Sequence, residues 1–256
     1  MKKFILPIVA LVTAVSFNSC TNDLNVDSSE HDGQATVRLV ISSDNDFVSL
    51  TRATANNTEW YAQMDDQLQG KVSDLIGKSY TPGNHNITVS NYASLASAMS
   101  ANSGAGAAYY EKSKQETLHA GVNSVSIDCG RAQNCRLKAD WSGTSGVSGL
   151  TVNSVVASQT TSSRSYTYTS DGTTAYFYAS EQINCVIHYT HNGVSKTISK
   201  SFDSPAAATE YHLVVTANSN GTIVTIEITF DDTFSTGESS STTIDAATGE
   251  EVTNAK

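Results

Sequence analysis

The stretch INCVIHYTHNGVSKTISKSF, residues 183–202, contains two runs in which apolar and polar residues alternate. Successive side chains of a β-strand point to opposite faces, so each run predicts a strand with one buried face. Asn192 and Gly193 lie between the runs, and both residue types accept the positive backbone angles of a two-residue turn. The stretch therefore predicts an antiparallel β-hairpin.

Runs of the same kind recur through most of the chain, and their Val, Ile and Tyr residues favour strands. The clearest further runs are residues 35–42, 85–92, 122–129, 134–141, 148–157, 174–179, 210–218 and 222–230. Ser219-Asn220-Gly221 predicts a second hairpin turn. Residues 92–103, rich in Ala, Leu and Met, indicate one or two turns of helix, or a loop.

The number and spacing of the runs predict an all-β fold of two tandem β-sandwiches, Ig-like or transthyretin-like. The boundary is predicted within CGRAQN (129–134), which gives domains at 34–130 and 131–234. So short a linker predicts stiffly coupled domains. Residues 20–33 and 235–256 have too few apolar side chains to offset the entropy of ordering, so we predict a tether and a disordered polar tail.

The amino terminus has the three parts of an export signal: a basic start, an apolar run over residues 4–17, and the small residue Ser19. The run is shorter than the roughly 20 residues of a membrane span, so residues 1–19 are predicted to be removed. Bacterial lipoprotein signals end in a cysteine after a small residue, which makes Cys20 the predicted site of lipidation. We expect an outer-membrane lipoprotein on the cell surface or the periplasmic face. The alternative is an ordinary signal peptide that leaves Cys20 as a free thiol.

The net charge of −10 becomes more negative once Lys2 and Lys3 are removed with the signal. A polyanion repels phosphate backbones and anionic lipid surfaces, so nucleic acid is excluded as an expected partner. Membrane attachment then depends on the acyl chains at Cys20. The acidic pairs Asp65-Asp66 and Asp231-Asp232 are predicted to be solvated surface, with a weak calcium site as the alternative.

Three other cysteines, Cys129, Cys135 and Cys185, enter a compartment that permits disulfides, and three thiols cannot all pair within one chain. Alternation places Cys135 and Cys185 on core faces, where they would be free buried thiols. Two alternatives are a Cys135–Cys185 disulfide between the sheets and a Cys129–Cys135 disulfide at the linker.

No motif in the sequence supports catalysis or a metal site. His188 and His191 lie three apart on a predicted strand and therefore point to opposite faces. Around Ser145, Val147 stands where a nucleophile elbow has its closing glycine, and GAGAAY (104–109) lacks the third glycine of a dinucleotide site. We expect no enzymatic activity, no cofactor and no metal.

Tyrosines are the candidates for a binding surface. The runs SYTYT and TAYFYA are predicted to form a hairpin across residues 170–173, with Tyr166 and Tyr168 on one face of the first strand and Tyr176 and Tyr178 on one face of the second. Exposed tyrosines bind glycans and proteins by stacking and hydrogen bonding. The alternative is that these rings line the core or cover a sheet edge.

The chain resembles Bacteroidota lipoproteins of a domain-of-unknown-function class that is grouped with fimbrillin-like proteins. The stretches that carry the resemblance are the Cys20 signal, TRA (51–53), GNHNITVSNY (83–92), AAYYEKSKQETLHAGVNSVSIDCGRAQNCRLKADW (107–141) and TEYHLVVTANSNGTIVTIEITFDD (209–232). The resemblance implies a β-sandwich protein of the cell surface or of pili.

The resemblance also implies a possible processing site. In fimbrillin-type pilins an arginine-specific protease cuts after the first strand, which departs, and a segment of a neighbouring subunit fills its groove. Arg52 matches that arginine and is predicted to lie in a polar, exposed loop, and residues 35–42 would be the departing strand. The tail (235–256) lacks the alternating apolar residues of a donor strand. We therefore expect a monomeric, non-catalytic adhesion or binding module, with a pilus subunit as the alternative.

Overall fold

The computed structural model describes residues 33–45, 51–54, 59–75, 78–220, 223–231 and 239–252. The predicted signal (1–19) and Cys20 lie outside the described residues.

The described chain is built almost wholly of strands, with one short helix, α1 (Leu95–Ser100). The strands are β1 (Ala35–Asn45), β2 (Thr51–Thr54), β3 (Tyr61–Met64), β4 (Gln67–Lys71), β5 (Ser79–Tyr80), β6 (Gly83–Ser90), β7 (Glu111–Leu118), β8 (Gly121–Asp128), β9 (Cys135–Asp140), β10 (Leu150–Ser158), β11 (Ser165–Tyr168), β12 (Thr174–Phe177), β13 (Ile183–His191), β14 (Val194–Phe202), β15 (Glu210–Asn220), β16 (Ile223–Asp231) and β17 (Ser239–Asp245).

The first half of the chain forms two facing sheets. In one sheet, β8 runs parallel along one edge of β1, while β2 and β5 pair antiparallel with its other edge. The other sheet has the order β4-β3-β6-β7. Their inner faces share one hydrophobic core, which contains Ile41, Ile87 and Ile127 at 1% exposure or less.

The second half forms another pair of sheets with its own core. Their orders are β11-β10-β13-β14 and β12-β9-β15-β16-β17, and β15 runs parallel to β9. Leu137, Phe177 and Tyr189 are fully buried between them. The prediction of an all-β chain with two β-sandwiches is confirmed, whereas the boundary within residues 129–134 stays a prediction.

The hairpin predicted from residues 183–202 is confirmed. β13 and β14 pair from Ile183 opposite Phe202 to His191 opposite Val194. Asn192 and Gly193 form the turn with φ values of 50° and 81°, the left-handed region that such a tight turn requires.

The hairpin predicted across residues 170–173 is wrong. β11 pairs with β10, and β12 pairs with β9 in the opposite sheet, so the intervening residues cross from one sheet to the other. The physical reason is burial: Tyr168 and Phe177 both fill the same core, and they reach it from facing sheets.

The prediction of a disordered tail is wrong for residues 239–252. β17 pairs antiparallel with β16, and Ile244 and Ala246 are buried in the second core at 4% and 0% exposure. The Asp245 carboxylate then accepts a hydrogen bond from the Ala247 amide at 2.6 Å and fixes the turn that follows. Backbone hydrogen bonds to β16 and the burial of these two aliphatic side chains together hold the polar segment in the sheet.

Candidate functional site: a tyrosine cluster beside helix α1

Four tyrosines from both halves of the chain meet beside α1. This tyrosine cluster consists of Tyr92, Tyr109, Tyr176 and Tyr178, which pack around Met99. Met99 and Tyr109 are buried at 3% exposure, whereas the other three rings are half-buried. The cluster therefore has an apolar base and an aromatic surface open to solvent.

The short helix is positioned by local hydrogen bonds. Ser94 caps its amino terminus, because the Ser94 hydroxyl accepts a hydrogen bond from the Ser97 amide at 3.1 Å. After the helix, Gly106 adopts a φ of 83°, and a Cβ added there would lie 3.0 Å from the Tyr176 Cβ. The absence of a side chain lets the loop approach β12, where the Tyr176 amide donates to the Ala105 carbonyl at 2.8 Å.

The backbone at the half-buried rings of Tyr176 and Tyr178 is held by hydrogen bonds from side chains. Gln159, 2% exposed, accepts from the Tyr178 amide at 2.9 Å and donates to the Tyr178 carbonyl at 2.8 Å. Arg164 Nε donates to the Tyr176 carbonyl at 3.0 Å. Tyr176 and Tyr178 are thus presented on an ordered backbone, which lowers the entropy cost of binding.

A row of polar side chains continues from Tyr176 across the sheet. Arg136 on β9 lies opposite both Tyr176 on β12 and Glu210 on β15. The Arg136 guanidinium forms an ion pair with the buried Glu210 carboxylate, whose other oxygen lies 2.6 Å from His212 Nε2. Burial opposes the charge of Arg136, but its contacts with Tyr176 and Glu210 hold its pKa above the usual value. The row supplies fixed charges at the edge of the cluster.

Only two of the four predicted surface tyrosines belong to this cluster. Tyr168 is fully buried, and its hydroxyl donates to the Leu137 carbonyl at 2.9 Å, so its prediction as a surface residue is wrong. Tyr166 is half-buried against the same core, with its ring edge-on to Tyr168 at 4.9 Å. The sequence does not predict Tyr92 and Tyr109 as site residues. Their local pattern does not show that they meet the tyrosines at the end of β12, a distant strand.

The three described cysteines are free and buried. The predicted alternative of a Cys135–Cys185 disulfide is therefore wrong, and the Cys135 thiol lies 3.4 Å from the Phe177 carbonyl, to which it donates. Burial raises the pKa of Cys129, Cys135 and Cys185 to about 12. Thiols of this kind stay protonated and unreactive.

Arg52 lies in a strand rather than in the predicted loop. It belongs to β2 and is opposite Asp44 of β1.

His188 and His191 show different burial along β13, as the prediction of opposite faces requires. Within the described part of the chain, no three His, Cys, Asp or Glu side chains are grouped closely enough to hold a metal ion. No helix among those residues is long and apolar enough to span a bilayer.

No protein-family model matches the chain, and no curated protein is significantly similar to it in sequence. Solved structures do match. A candidate cell adhesion protein from Bacteroides fragilis is 11% identical, with a TM-score of 0.41 over 75% of this chain and 96% of that one. A fimbrial assembly protein from Parabacteroides distasonis is 11% identical, with a TM-score of 0.41 over 81% and 98%. A candidate adhesin from Bacteroides ovatus is 11% identical, with a TM-score of 0.42 over 78% and 95%. Likeness this distant says nothing about function.

Proposed function

We propose that this protein is a lipid-anchored, non-catalytic binding or adhesion module of the outer membrane, with the tyrosine cluster as its contact surface. The observation that carries the proposal is the half-exposed pair Tyr176 and Tyr178 on a backbone held by Gln159 and Arg164. Tyrosine rings supply large contact areas at a small cost in side-chain entropy, which suits them to glycan or protein ligands.

Binding is tested with the mature protein extracted in detergent and applied to immobilised glycans and extracellular-matrix proteins. Replacing Tyr178 or Tyr92 with Ala is expected to lower binding at least about tenfold, the effect of losing one well-packed aromatic contact. Tyr61→Ala is the matched control, since Tyr61 is also half-buried but lies on β3. Equal binding by all four proteins would reject the tyrosine cluster as the contact surface.

The anchor is tested separately. Cys20→Ala is expected to move the protein from the membrane fraction to the soluble fraction, because the acyl chains at Cys20 are the proposed attachment. Thr21→Ala is expected to leave it in the membrane. Retention of Cys20→Ala in the membrane would refute lipidation at this site. Protease treatment of intact cells then separates surface display, which allows digestion, from a periplasmic orientation, which prevents it.

The alternative is a pilus subunit that is cleaved at Arg52 and assembles by strand exchange. Its supporting observation is that β1 pairs with β8 over eight residues and ends at Asn45, before Arg52, so its loss would open a continuous groove. Against it, β1 buries Ala35 and Ile41 completely, and each large apolar side chain exposed costs about 1.5–3 kcal/mol. We therefore favour an uncleaved monomer.

Mass spectrometry of the protein from cells, with sizing in detergent, decides between the two. An acylated Cys20 terminus and a single small species are expected. A terminus at Ala53 together with a ladder of oligomers would establish the pilus subunit instead.

A further inference from the structure

The turn between β3 and β4 has an unusual composition. Its two residues, Asp65 and Asp66, have φ values of 51° and 62°, the left-handed region that glycine and asparagine occupy most readily in such turns. Two adjacent aspartates in this conformation carry backbone strain. Contacts from elsewhere in the fold must therefore stabilise the turn.

The backbone next to the turn supplies two of these contacts. The Asp65 amide donates to the Asn86 carbonyl at 2.9 Å, and the Asn86 amide donates to Asp65 Oδ1 at 2.8 Å. The second carboxylate oxygen, Oδ2, lies 2.5 Å from Nδ1 of His85. The other ring nitrogen of His85, Nε2, lies 2.7 Å from the Thr81 carbonyl oxygen.

Both partners of the His85 ring are acceptors only. A neutral imidazole has a single N–H group, so one of its nitrogens would direct a lone pair at an oxygen. An imidazolium donates from both nitrogens and satisfies both oxygens. We infer that His85 is an imidazolium in the folded protein and acts as a pH-sensitive clamp that ties the strained β3–β4 turn to Thr81.

Carboxylates, a lysine and an aromatic ring lie around the His85 side chain. Its side chain is 11% exposed. Glu116 on β7 is directly opposite His85 and is ion-paired with Lys114 at 2.7 Å. From β5, the Tyr80 ring meets the imidazole edge-on at a centroid distance of 6.3 Å. Asp65 and the exposed Asp66 place two carboxylates on the β3–β4 turn.

The pKa directions set the pH range in which the clamp acts. Burial lowers the pKa of His85, but the hydrogen bonds to Asp65 and Thr81 outweigh it and the net pKa is raised. The hydrogen bond from the Asn86 amide, followed by that from His85, lowers the pKa of Asp65. The stability contributed by His85 is complete below its unfolded pKa and is lost as pH rises through its folded pKa. That of Asp65 is complete above its unfolded pKa and is lost as pH falls through its folded pKa. The clamp is therefore fully formed between about pH 4 and about pH 6.5, the ordinary values of the two groups.

Loss of the His85 proton loosens a hairpin at the edge of its sheet. Among the described strands, β4 is the outermost in the order β4-β3-β6-β7 and pairs with β3. Edge hairpins open locally at a lower free energy than central strands. Rising pH is thus expected to open the β3–β4 turn and the adjoining end of β4, while Ala62 and Met64 of β3 stay buried in the first core.

The charge state is tested by a pH titration of the side-chain nitrogens of His85 in the isotopically labelled mature protein, folded and in urea. Both nitrogens are expected to carry protons in the folded state, with a midpoint above that in urea. A folded midpoint equal to or below the unfolded one would overturn the inference, and this comparison needs no variant.

The clamp itself is tested by amide hydrogen exchange of Asp65 and Asn86. In the native chain, exchange is expected to accelerate several-fold beyond its intrinsic pH dependence as pH crosses the His85 midpoint. In His85→Gln that step disappears, and Asp65→Asn moves the His85 midpoint toward its unfolded value. His188→Gln on β13 is the control and leaves both readouts unchanged. Amide exchange rates of Asp65 and Asn86 that show no step at the His85 midpoint would refute the clamp.

Discussion

A buried hydroxyl group connects the two sheets of the second core. The Tyr168 hydroxyl crosses from β11 to the Leu137 carbonyl on β9, and neither group has access to water. Tyr168→Phe keeps the ring and removes this hydrogen bond, so it is expected to lower the free energy of unfolding by about 1 kcal/mol. Urea denaturation measures the change.

Tyr166→Phe is the matched control for that measurement. Tyr166 lies two residues earlier on β11, but its ring is only half-buried. A change within about 0.5 kcal/mol is expected, as for a substitution on a partly exposed surface. Equal losses in the two variants would mean that the hydroxyl bond inside the core contributes nothing of its own.

At the scale of elements, β17 shows how a polar segment becomes part of a sandwich. Ile244 is 4% exposed within the second core, whereas Val252, eight residues later, is 37% exposed. Ile244→Ala is expected to cost about 2–4 kcal/mol, because it removes buried methyl groups and leaves a cavity. Val252→Ala is expected to change stability by less than about 0.5 kcal/mol. Thermal unfolding that gives small, equal effects would mean that the strand is not docked.

At the β3–β4 turn, a substitution is expected to raise the free energy of unfolding rather than lower it. Asp66→Gly places the residue that best accepts a φ of 62° at that position. It is expected to stabilise the protein by about 1 kcal/mol, since a left-handed conformation costs other residues about 1–2 kcal/mol. Asp66→Ala, which also removes the charge, is the control and is expected to bring no such gain. If both variants stabilise the protein equally, charge repulsion rather than backbone strain is the cause.

At the scale of the whole molecule, one buried amide joins the two halves. Asn134, 0% exposed, accepts from the Tyr109 amide at 3.1 Å and donates to the Ala107 carbonyl at 2.8 Å. The backbone carbonyl of Asn134 accepts a hydrogen bond from the Ala208 amide. Native calorimetry is expected to show one cooperative transition, because these bonds tie the halves together.

Asn134→Ala leaves the buried Tyr109 amide and the half-buried Ala107 carbonyl without this partner, and a buried group left unpaired costs about 1–3 kcal/mol. The variant is expected to unfold at a lower temperature and in two transitions, one for each core. Gln133→Ala is the control, since its side chain is exposed and donates one hydrogen bond, to the Glu111 carbonyl. A single undiminished transition in Asn134→Ala would show that the junction does not depend on this amide.

Local patterns were sufficient for much of the fold. Alternation identified β13 and β14, Asn192-Gly193 identified their turn, and the same parity placed Cys135 and Cys185 in the core. These features depend on one strand or on two strands joined by a short turn. The face to which each side chain points then follows from the geometry of its own strand.

The amino-acid sequence therefore identifies the strands whose residues alternate clearly, such as β13 and β14, and the apolar face of each, but not a strand in a polar segment such as β17. Only the tertiary structure decided which strands are neighbours: β11 and β12 lie in opposite sheets, and β17 completes an edge. It also decided that Tyr92 and Tyr178 meet beside α1, and that Asp65 meets His85. The physical reason is that alternation records only that a face is buried, whereas its partner is selected by packing and hydrogen bonding between segments far apart in the chain.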